Sequence, residues 1–205
     1  VGKTTLLKHT QNYLNDNGNR VFFITLEDPM ILNDLNIHPE NIFNYIPKIK
    51  DSKIYLLIDE VQYLDNPGNF LKYHYDLNRQ TLKIIASGSS AFYIDRKFKD
   101  SLAGRKKIVN IHPFSFSEFL LARGEEELAA DTVTPGYIQT GQKKHYLKQR
   151  KQQLSLYLTE YIRFGGYPKI VLQNDEQEKI LLIKELYSSM LKKDIHEAGI
   201  KDETK

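Results

Sequence analysis

The first residues of the chain combine a flexible backbone, a positive charge and hydroxyl groups. Gly2 is followed by Lys3, Thr4 and Thr5. This is the end of the pattern Gly, four residues, Gly-Lys-Ser/Thr, in which backbone N–H groups cradle phosphates, the lysine reaches the β- and γ-phosphates and the hydroxyl ligates Mg²⁺. The sequence therefore predicts that Val1, Gly2, Lys3, Thr4 and Thr5 bind a nucleotide and that Thr4 is a metal ligand. The alternative is a chance Gly-Lys-Thr-Thr at the start of a helix.

Two adjacent carboxylates, Asp59 and Glu60, follow the apolar run Ile54–Ile58. Such a run is typical of a strand buried on both faces, and acids at its exit are costly unless they are paired with a cation. This is the form of a Walker B motif. We expect Asp59 to hold Mg²⁺ through water and Glu60 to orient and polarise an attacking water. The alternative is an ordinary strand end with solvated acids.

Two further polar side chains are candidates for catalysis. Ser89 lies in a Ser-Gly-Ser-Ser turn after the apolar run Leu82–Ala86, from which it could reach the γ-phosphate or the attacking water. Arg105 could neutralise charge on a transferring phosphoryl group. The alternatives are a turn of small residues for Ser89 and a basic surface cluster for Arg105, and the residues alone leave both open.

Strands and helices alternate over the first 130 residues, which predicts a parallel α/β sheet covered by helices. The carboxyl ends of its strands meet at one edge, so we expect Lys3 and Asp59 on the same side of the sheet. The strands are predicted at Val21–Leu26, Ile54–Ile58, Leu82–Ala86 and Ile108–Ile111. The helices are predicted at Thr5–Asn15, Pro39–Ile49, Phe70–Asn78 and Phe92–Leu102, and after a capping box that starts at Ser115.

The composition changes after this alternating part. Residues 131–142 are rich in Thr, Gly and Pro, so we predict a linker over 131–145 between an α/β domain at 1–130 and a mainly helical segment at 146–205. The basic residues near this boundary have no acid among them, which could indicate a DNA-facing patch, although a solvated helix face is the commoner explanation. They are Lys143, Lys144, Lys148, Arg150 and Lys151.

Composition excludes several classes of protein. The 205 residues are 40% hydrophobic and 27% charged, an ordinary globular balance, and no apolar run approaches the roughly 20 residues that span a bilayer. The chain has no cysteine, which excludes disulfides and cysteine-ligated metal centres and suits a reducing cytoplasm. The net charge of +3 is too small to indicate nucleic acid by itself. We therefore predict a cytoplasmic protein without a membrane partner.

Together these motifs resemble one branch of the AAA+ P-loop ATPases, an archaeal and bacterial group related to the STAND ATPases, whose ATPase core precedes a C-terminal domain of unknown function. The resemblance covers residues 1–121 and rests on VGKTTLLK, LLIDEVQYL, ASGSSA, SLAGR and IHPFSFSEFL. Further on, YIRFGGYPKI and MLKKDI resemble the start of the C-terminal domain. Because the phosphate-binding loop is incomplete and the family continues beyond Lys205, we expect a fragment truncated at both ends.

The resemblance implies ATP and Mg²⁺ as cofactors, slow hydrolysis and a strand order of 5-1-4-3-2 whose first strand precedes Val1. It also leaves open a homo-oligomer in which Arg105 reaches a neighbour's nucleotide. The residues that it assigns to the site are Gly2, Lys3, Thr4, Asp59, Glu60, Ser89 and Arg105.

Two functions remain open at this point. The first is ATP hydrolysis that drives or times a conformational change, and Glu60 beside Asp59 favours it. The second is an ATP-loaded switch with negligible turnover, which binds DNA or a protein through its C-terminal region. A small-molecule kinase is less well supported because no acceptor site or lid arginine cluster is recognisable. GTP is also less well supported because the chain has no Asn-Lys-x-Asp motif.

Overall fold

The structure is a computed structural model that describes residues 2–49, 52–88, 102–133 and 144–197. The chain divides into two compact units, Gly2–Ile111 and His112–Lys205.

A parallel sheet forms the centre of the first unit. Its three strands are β1 (Arg20–Thr25), β2 (Ile54–Asp59) and β3 (Leu82–Ala86), in the order β1-β2-β3. The central strand β2 is the most apolar, and Leu56, Leu57 and Ile58 are fully buried, as expected for a strand covered on both faces. The prediction of a parallel α/β sheet is therefore confirmed.

Helices precede and connect these strands. They are α1 (Lys3–Asp16), α2 (Pro29–Ile37) and α3 (Pro67–Asn78), with short 3-10 helices at Pro39–Asn44 and Val61–Tyr63. The predicted helices in the positions of α1 and α3 are present and somewhat longer than expected. The helix predicted over Pro39–Ile49 is instead the shorter 3-10 helix.

Helix α2 lies where the sequence analysis predicts no helix. The Asp28 side chain accepts a hydrogen bond from the Met30 backbone N–H at 2.9 Å, and Pro29 occupies the first helical position. An N-cap aspartate followed by proline is a strong start signal for a helix. The residues Glu27, Asp28 and Pro29 therefore end a strand and start a helix within one short connection.

The predicted fourth strand, Ile108–Ile111, is wrong in this structure. These residues are described but pair with no strand, and Ile108 and Val109 are 54% and 71% exposed. A strand without a partner leaves its backbone groups unpaired, so the apolar pattern alone does not form one here. The helix predicted at Phe92–Leu102 lies almost entirely outside the described residues.

The second unit is helical in its described part. It contains α4 (Phe116–Ala122), α5 (Glu126–Val133), α6 (Lys144–Phe164), α7 (Pro168–Val171) and α8 (Glu176–Glu197). The capping box predicted at Ser115 is present, with Ser115 and Glu118 bonding reciprocally. The Phe119 ring contacts the rings of Tyr157 and Tyr161 on α6, which joins α4 to the later helices.

This packing divides the chain at a different place from the linker predicted at 131–145. The second compact unit begins at His112, because α4 buries its apolar face against α6. At the predicted linker itself, α5 extends to Val133 and α6 begins at Lys144, whereas residues 134–143 lie outside the described ranges. The boundaries of the family's domains along the sequence stay a prediction.

The break between α6 and α7 is built on two glycines with different tasks. Gly165 has φ 74°, a left-handed conformation that glycine adopts without strain and that ends helices. Gly166 accepts a hydrogen bond from the Phe114 backbone N–H at 2.7 Å, and a Cβ at position 166 would lie 2.1 Å from the Phe114 carbonyl oxygen. The hydroxyl of Tyr161 donates to that same oxygen at 2.7 Å. The segments IHPFSFSEFL and YIRFGGYPKI are therefore in contact at Phe114, and we call this contact of Phe114 with Tyr161 and Gly166 the joint between α6 and α7.

An ionic cluster also lies inside the second unit. The Lys179 ammonium, whose side chain is 5% exposed, donates to Glu160, and Arg123 pairs with the same carboxylate at 3.2 Å. A buried charge is destabilising without such partners. Arg123 follows α4, Glu160 lies on α6 and Lys179 lies on α8, so the cluster connects these three helices.

None of the helices in the described part of the chain is both long enough and apolar enough to cross a membrane.

Candidate active site

The N-terminus of α1 is shaped by Gly2. This residue has φ 66°, the left-handed region, and its carbonyl oxygen accepts the first helical hydrogen bond from Leu6 at 2.9 Å. Lys3, Thr4 and Thr5 consequently occupy the first turn of α1. Backbone N–H groups in a first turn have no partner within the helix. They form the positive end of the helix dipole, which favours the binding of an anion.

Asp59 connects this helix to the sheet. It is 4% exposed, and its Oδ2 accepts a hydrogen bond from the Thr4 hydroxyl at 2.6 Å. Its Oδ1 accepts a second hydrogen bond, from the hydroxyl of Ser87. The contact places the first turn of α1, which carries Lys3, at the carboxyl edge of the sheet beside Asp59.

Ser87 is a site residue that the sequence interpretation missed. Ile58 pairs with Ala86 in the sheet register, so Asp59, the last residue of β2, and Ser87, the residue after β3, also lie side by side. The Ser87 N–H donates to the Ile58 carbonyl at 2.8 Å, which fixes this alignment. Counting residues from the ends of the two apolar runs would have found the pair. The predicted Ser89 lies outside the described residues.

Glu60 has an unusual backbone. Its φ of 57° is the only positive value at a non-glycine residue in the described part of the chain. Hydrogen bonds hold the chain on either side of it: before it, Leu26 N–H donates to the Asp59 carbonyl at 3.1 Å, and after it, Val61 N–H donates to the Ser87 carbonyl at 2.8 Å. The Glu60 side chain accepts a hydrogen bond from the Gln62 side-chain amide.

The loop after β2 carries concentrated negative charge. Burial is the main reason why the pKa of the Tyr63 hydroxyl is raised, and the negative charges of Glu60 and Glu27 raise it further. Glu60 and Glu27 follow two neighbouring strands, and both of their charges affect the pKa of the same tyrosine. Asp59, the last residue of β2, directly precedes Glu60 at this strand end.

Arg105 is not brought to this edge. Its Nε donates to Asp76 at 3.0 Å, and its guanidinium lies 6.0 Å from the centre of the Tyr75 ring. Both partners are in the last turns of α3, which returns from the end of β2 to the start of β3. The structure thus places Arg105 with the end of α3 that is remote from Thr4 and Asp59, and a role for it in catalysis stays a prediction.

Comparison with known proteins identifies the family to which the chain belongs. A protein family described as an AAA domain matches residues 1–120. The chain belongs to this family of AAA domains. The match includes both the first turn of α1 and the strand end at Asp59 and Glu60. A nucleotide-binding P-loop fold is therefore shared with the family.

The AAA domain also has relatives among whole proteins. It is 30% identical to the uncharacterized protein MJ1544 of Methanocaldococcus jannaschii over 85% of this chain and 35% of the relative. It is 32% identical to the uncharacterized protein MJ1637 of the same organism, over 96% of this chain and 42% of the relative. An uncharacterized protein of Haemophilus influenzae is 27% identical over 98% of this chain and 45% of the relative. The chain therefore spans less than half the length of these relatives. No solved structure matches it.

The donor atoms of the AAA domain fit Mg²⁺. Within the described ranges, no group of three His, Asp or Glu side chains lies close enough to hold a metal ion by itself. Mg²⁺ is usually bound through one or two carboxylates together with water and substrate phosphates. The Asp59 carboxylate with the hydroxyls of Thr4 and Ser87 supplies such an all-oxygen set, which is incomplete until phosphates join it.

The predicted basic patch is only partly described. Lys143 and the side chains of Lys144 and Lys148 lie outside the described residues, and Lys151 is exposed. Arg150 is 18% exposed and pairs with Glu127 at 3.1 Å and with Asp131 at 3.2 Å. This arginine therefore joins α6 to α5, and a DNA-facing patch stays a prediction.

Proposed function

We propose that this AAA domain binds ATP with Mg²⁺ and hydrolyses it, and that hydrolysis drives or times a conformational change. The observation that supports this most directly is the hydrogen bond of 2.6 Å between the Thr4 hydroxyl and Asp59. It joins the phosphate-binding turn to the acidic strand end, the two groups that a P-loop site needs together.

The residues at the edge of the sheet have separate tasks in this proposal. The first-turn N–H groups of α1 and the Lys3 ammonium bind the phosphates. Thr4 and Asp59 hold Mg²⁺, which supplies neutralising charge for the phosphate oxygens. The Thr4 hydroxyl donates to Asp59 at 2.6 Å, so it lies beside the carboxylate with which it would share the metal.

Glu60 is the proposed base that orients the attacking water. It follows Asp59 directly, so it lies at the same strand end as the metal ligand but on the loop that leaves the sheet. The left-handed φ of 57° turns the chain between Asp59, which stays buried, and Val61, which hydrogen-bonds to the Ser87 carbonyl. Such strain persists where surrounding contacts enforce it, and it is frequent at functional sites.

Several parts of the proposal extend beyond the site. We infer membership of the branch related to STAND ATPases, with residues 1–130 as the ATPase core, 131–145 as a linker and 146–205 as the start of a C-terminal domain. That domain would bind the DNA or protein partner, and the protein would act in the cytoplasm. In a homo-oligomer Arg105 would have to leave Asp76 to reach a neighbour's nucleotide.

The proposal is tested by ATP binding and phosphate release in the complete protein. Lys3→Ala should weaken ATP binding because it removes a charge contact to the phosphates, and chelation of Mg²⁺ should stop turnover. Binding without turnover in the wild-type protein would favour the ATP-loaded switch instead, and absence of ATP binding would contradict both.

A further inference from the structure

The Gln62 side chain contacts the group that the proposed reaction depends on most. Its Nε2 donates a hydrogen bond to Glu60 Oε2, and both side chains are half-buried. Gln62 lies in the 3-10 helix Val61–Tyr63 that follows β2 directly. The contact is therefore local and is formed within one turn of the chain.

The short 3-10 helix that presents Gln62 is firmly anchored. Val61 and Leu64, on either side of the glutamine, are both 2% exposed and belong to the core of the first unit. The Tyr63 N–H donates to the Glu60 carbonyl and the Leu64 N–H to the Val61 carbonyl. Gln62 thus projects from a turn whose backbone is held by hydrogen bonds and whose Val61 and Leu64 side chains are buried.

The Glu60 carboxylate is consequently restrained twice. The backbone at Glu60 is held in the left-handed region by hydrogen bonds on both sides, and the carboxylate is held by Gln62. The Gln62 bond uses Oε2, whereas a base needs one free oxygen to accept a proton from water. An amide is a suitable partner because it donates a hydrogen bond without adding a charge.

We propose that Gln62 is a positioning residue: it fixes Glu60 Oε2 so that Oε1 faces the attacking water. The inference rests on the proposed function, since it assigns Gln62 a role through the base. It does not concern phosphate binding, because the first turn of α1 and the acidic strand end carry that task.

The test uses phosphate release and ATP binding in the complete protein. Gln62→Ala should lower kcat by about 10- to 100-fold, the range typical of residues that orient a functional group, and leave the affinity for ATP within about twofold of wild type. The matched control is Gln153→Ala, which removes the same groups from an exposed position on α6 and should change neither quantity.

A double-mutant cycle separates a positioning role from a structural one. If Gln62 acts through Glu60, Gln62→Ala should have almost no further effect on the residual turnover of Glu60→Gln. Effects that multiply would overturn the proposal, because Gln62 would then act independently of the base. Wild-type protein without turnover would contradict the proposed function, whereas wild-type turnover that Gln62→Ala leaves unchanged would contradict only the role of Gln62.

A second readout needs no activity. In the nucleotide-free protein, the side-chain amide resonances of Gln62 should differ from those of the exposed Gln153, because one amide proton is bonded to a carboxylate. Glu60→Ala should shift the Gln62 resonances toward the exposed values. Resonances that do not respond to Glu60→Ala would show that the contact is absent in solution and would overturn the proposal.

Discussion

Asp59 is buried between two hydroxyl donors, and this explains how a charged residue is tolerated at the end of a fully apolar strand. The Thr4 and Ser87 hydroxyls each bond one of its oxygens. A carboxylate in such a place would be strongly destabilising without partners. The two hydroxyl groups therefore have a structural role before any metal or nucleotide binds.

Ser87→Ala should accordingly destabilise the protein. The substitution leaves Asp59 Oδ1 without its hydroxyl donor, and an unsatisfied buried group of this kind costs about 1–3 kcal/mol. Urea unfolding measures the difference. Ser188→Ala, at an exposed position on α8, is the matched control and should change the free energy of unfolding by less than about 0.5 kcal/mol. A Ser87→Ala variant as stable as this control would contradict the geometry at Asp59.

At the residue scale, the sequence allowed part of the site to be predicted. Lys3, Thr4, Asp59 and Glu60 stand next to elements with clear patterns, so their positions followed from the helix start and the strand end. Ser87 and Gln62 did not, because their roles depend on sheet register and on the 3-10 turn after β2. Small polar residues in turns carry no pattern that separates them from ordinary loop residues.

At the scale of elements, the joint between α6 and α7 shows why a glycine pair breaks the helical segment. Gly165 ends α6 through its left-handed backbone, whereas Gly166 allows the Phe114 backbone to approach. The sequence Gly-Gly-Tyr-Pro is typical of a helix break, but it does not indicate which segment packs against the break. A contact between residues 114 and 166 leaves no periodic signal in either segment.

Gly166→Ala should destabilise the second unit. A Cβ at this position would lie 2.1 Å from the Phe114 carbonyl oxygen, so the backbone must shift, and overpacking of this kind typically costs about 1–3 kcal/mol. Thermal unfolding followed by circular dichroism measures the loss. The control is Gly124→Asn, because Gly124 also has a left-handed backbone but has open space around it, and asparagine tolerates that conformation. Equal stability of Gly166→Ala and wild type would contradict the close approach of the Phe114 backbone to Gly166.

A buried histidine attaches α3 to the 3-10 helix Pro39–Asn44. His74 is 1% exposed, and its Nε2 lies 2.9 Å from the Pro39 carbonyl oxygen. Its other ring nitrogen lies 3.2 Å from the Asn78 side-chain amide. A neutral ring that donates from Nε2 and accepts at Nδ1 satisfies both contacts. Burial lowers the pKa of His74 below its usual value of 6.5.

This lowered pKa makes stability depend on pH. Above about pH 6.5 the ring is neutral in both the folded and the unfolded chain. As the pH falls below that value, the unfolded chain takes up a proton that the folded protein does not, so the free energy of unfolding decreases by up to about 1.4 kcal/mol per pH unit. The loss ends below the folded-state pKa.

Urea unfolding between pH 7.5 and pH 5, a range of about 2.5 units around the usual histidine pKa, measures this effect. His74→Phe keeps an aromatic ring among Phe43, Phe70 and Tyr73 and should have a flatter dependence on pH than wild type. His9→Gln, at an exposed position on α1, should keep the wild-type dependence. Parallel curves for wild type and His74→Phe would contradict the account of His74.

The Ile108–Ile111 segment marks the limit of prediction at this scale. Its apolar, β-branched residues favour a strand, but a strand forms only where a neighbour offers backbone partners. Helix α2 shows the opposite case, since local capping by Asp28 and Pro29 produced a helix where none was predicted. Local signals therefore determine helices more completely than strands in this chain.

At the scale of the whole molecule, the alternation of strands and helices was enough to predict the parallel sheet and the edge at which Thr4 and Asp59 meet. The division into compact units was not predictable in the same way. It depends on α4 packing against α6, a contact between segments about 40 residues apart in the sequence, as Phe119 with Tyr157 and Tyr161 shows. Composition indicated a linker in the Thr-, Gly- and Pro-rich stretch that begins near residue 131. It could not indicate the contact between α4 and α6.

The central claim is that the edge of the sheet hydrolyses ATP with Glu60 as the base. It is tested most directly by single-turnover phosphate release from Mg²⁺–ATP in the complete protein, with wild type and Glu60→Gln compared at saturating enzyme. The account predicts that Glu60→Gln binds ATP as wild type does and releases phosphate about 10²–10⁴-fold more slowly, the usual cost of losing a positioned base. Phosphate release by Glu60→Gln at the wild-type rate, or loss of ATP binding in that variant equal to the loss in Lys3→Ala, would contradict it.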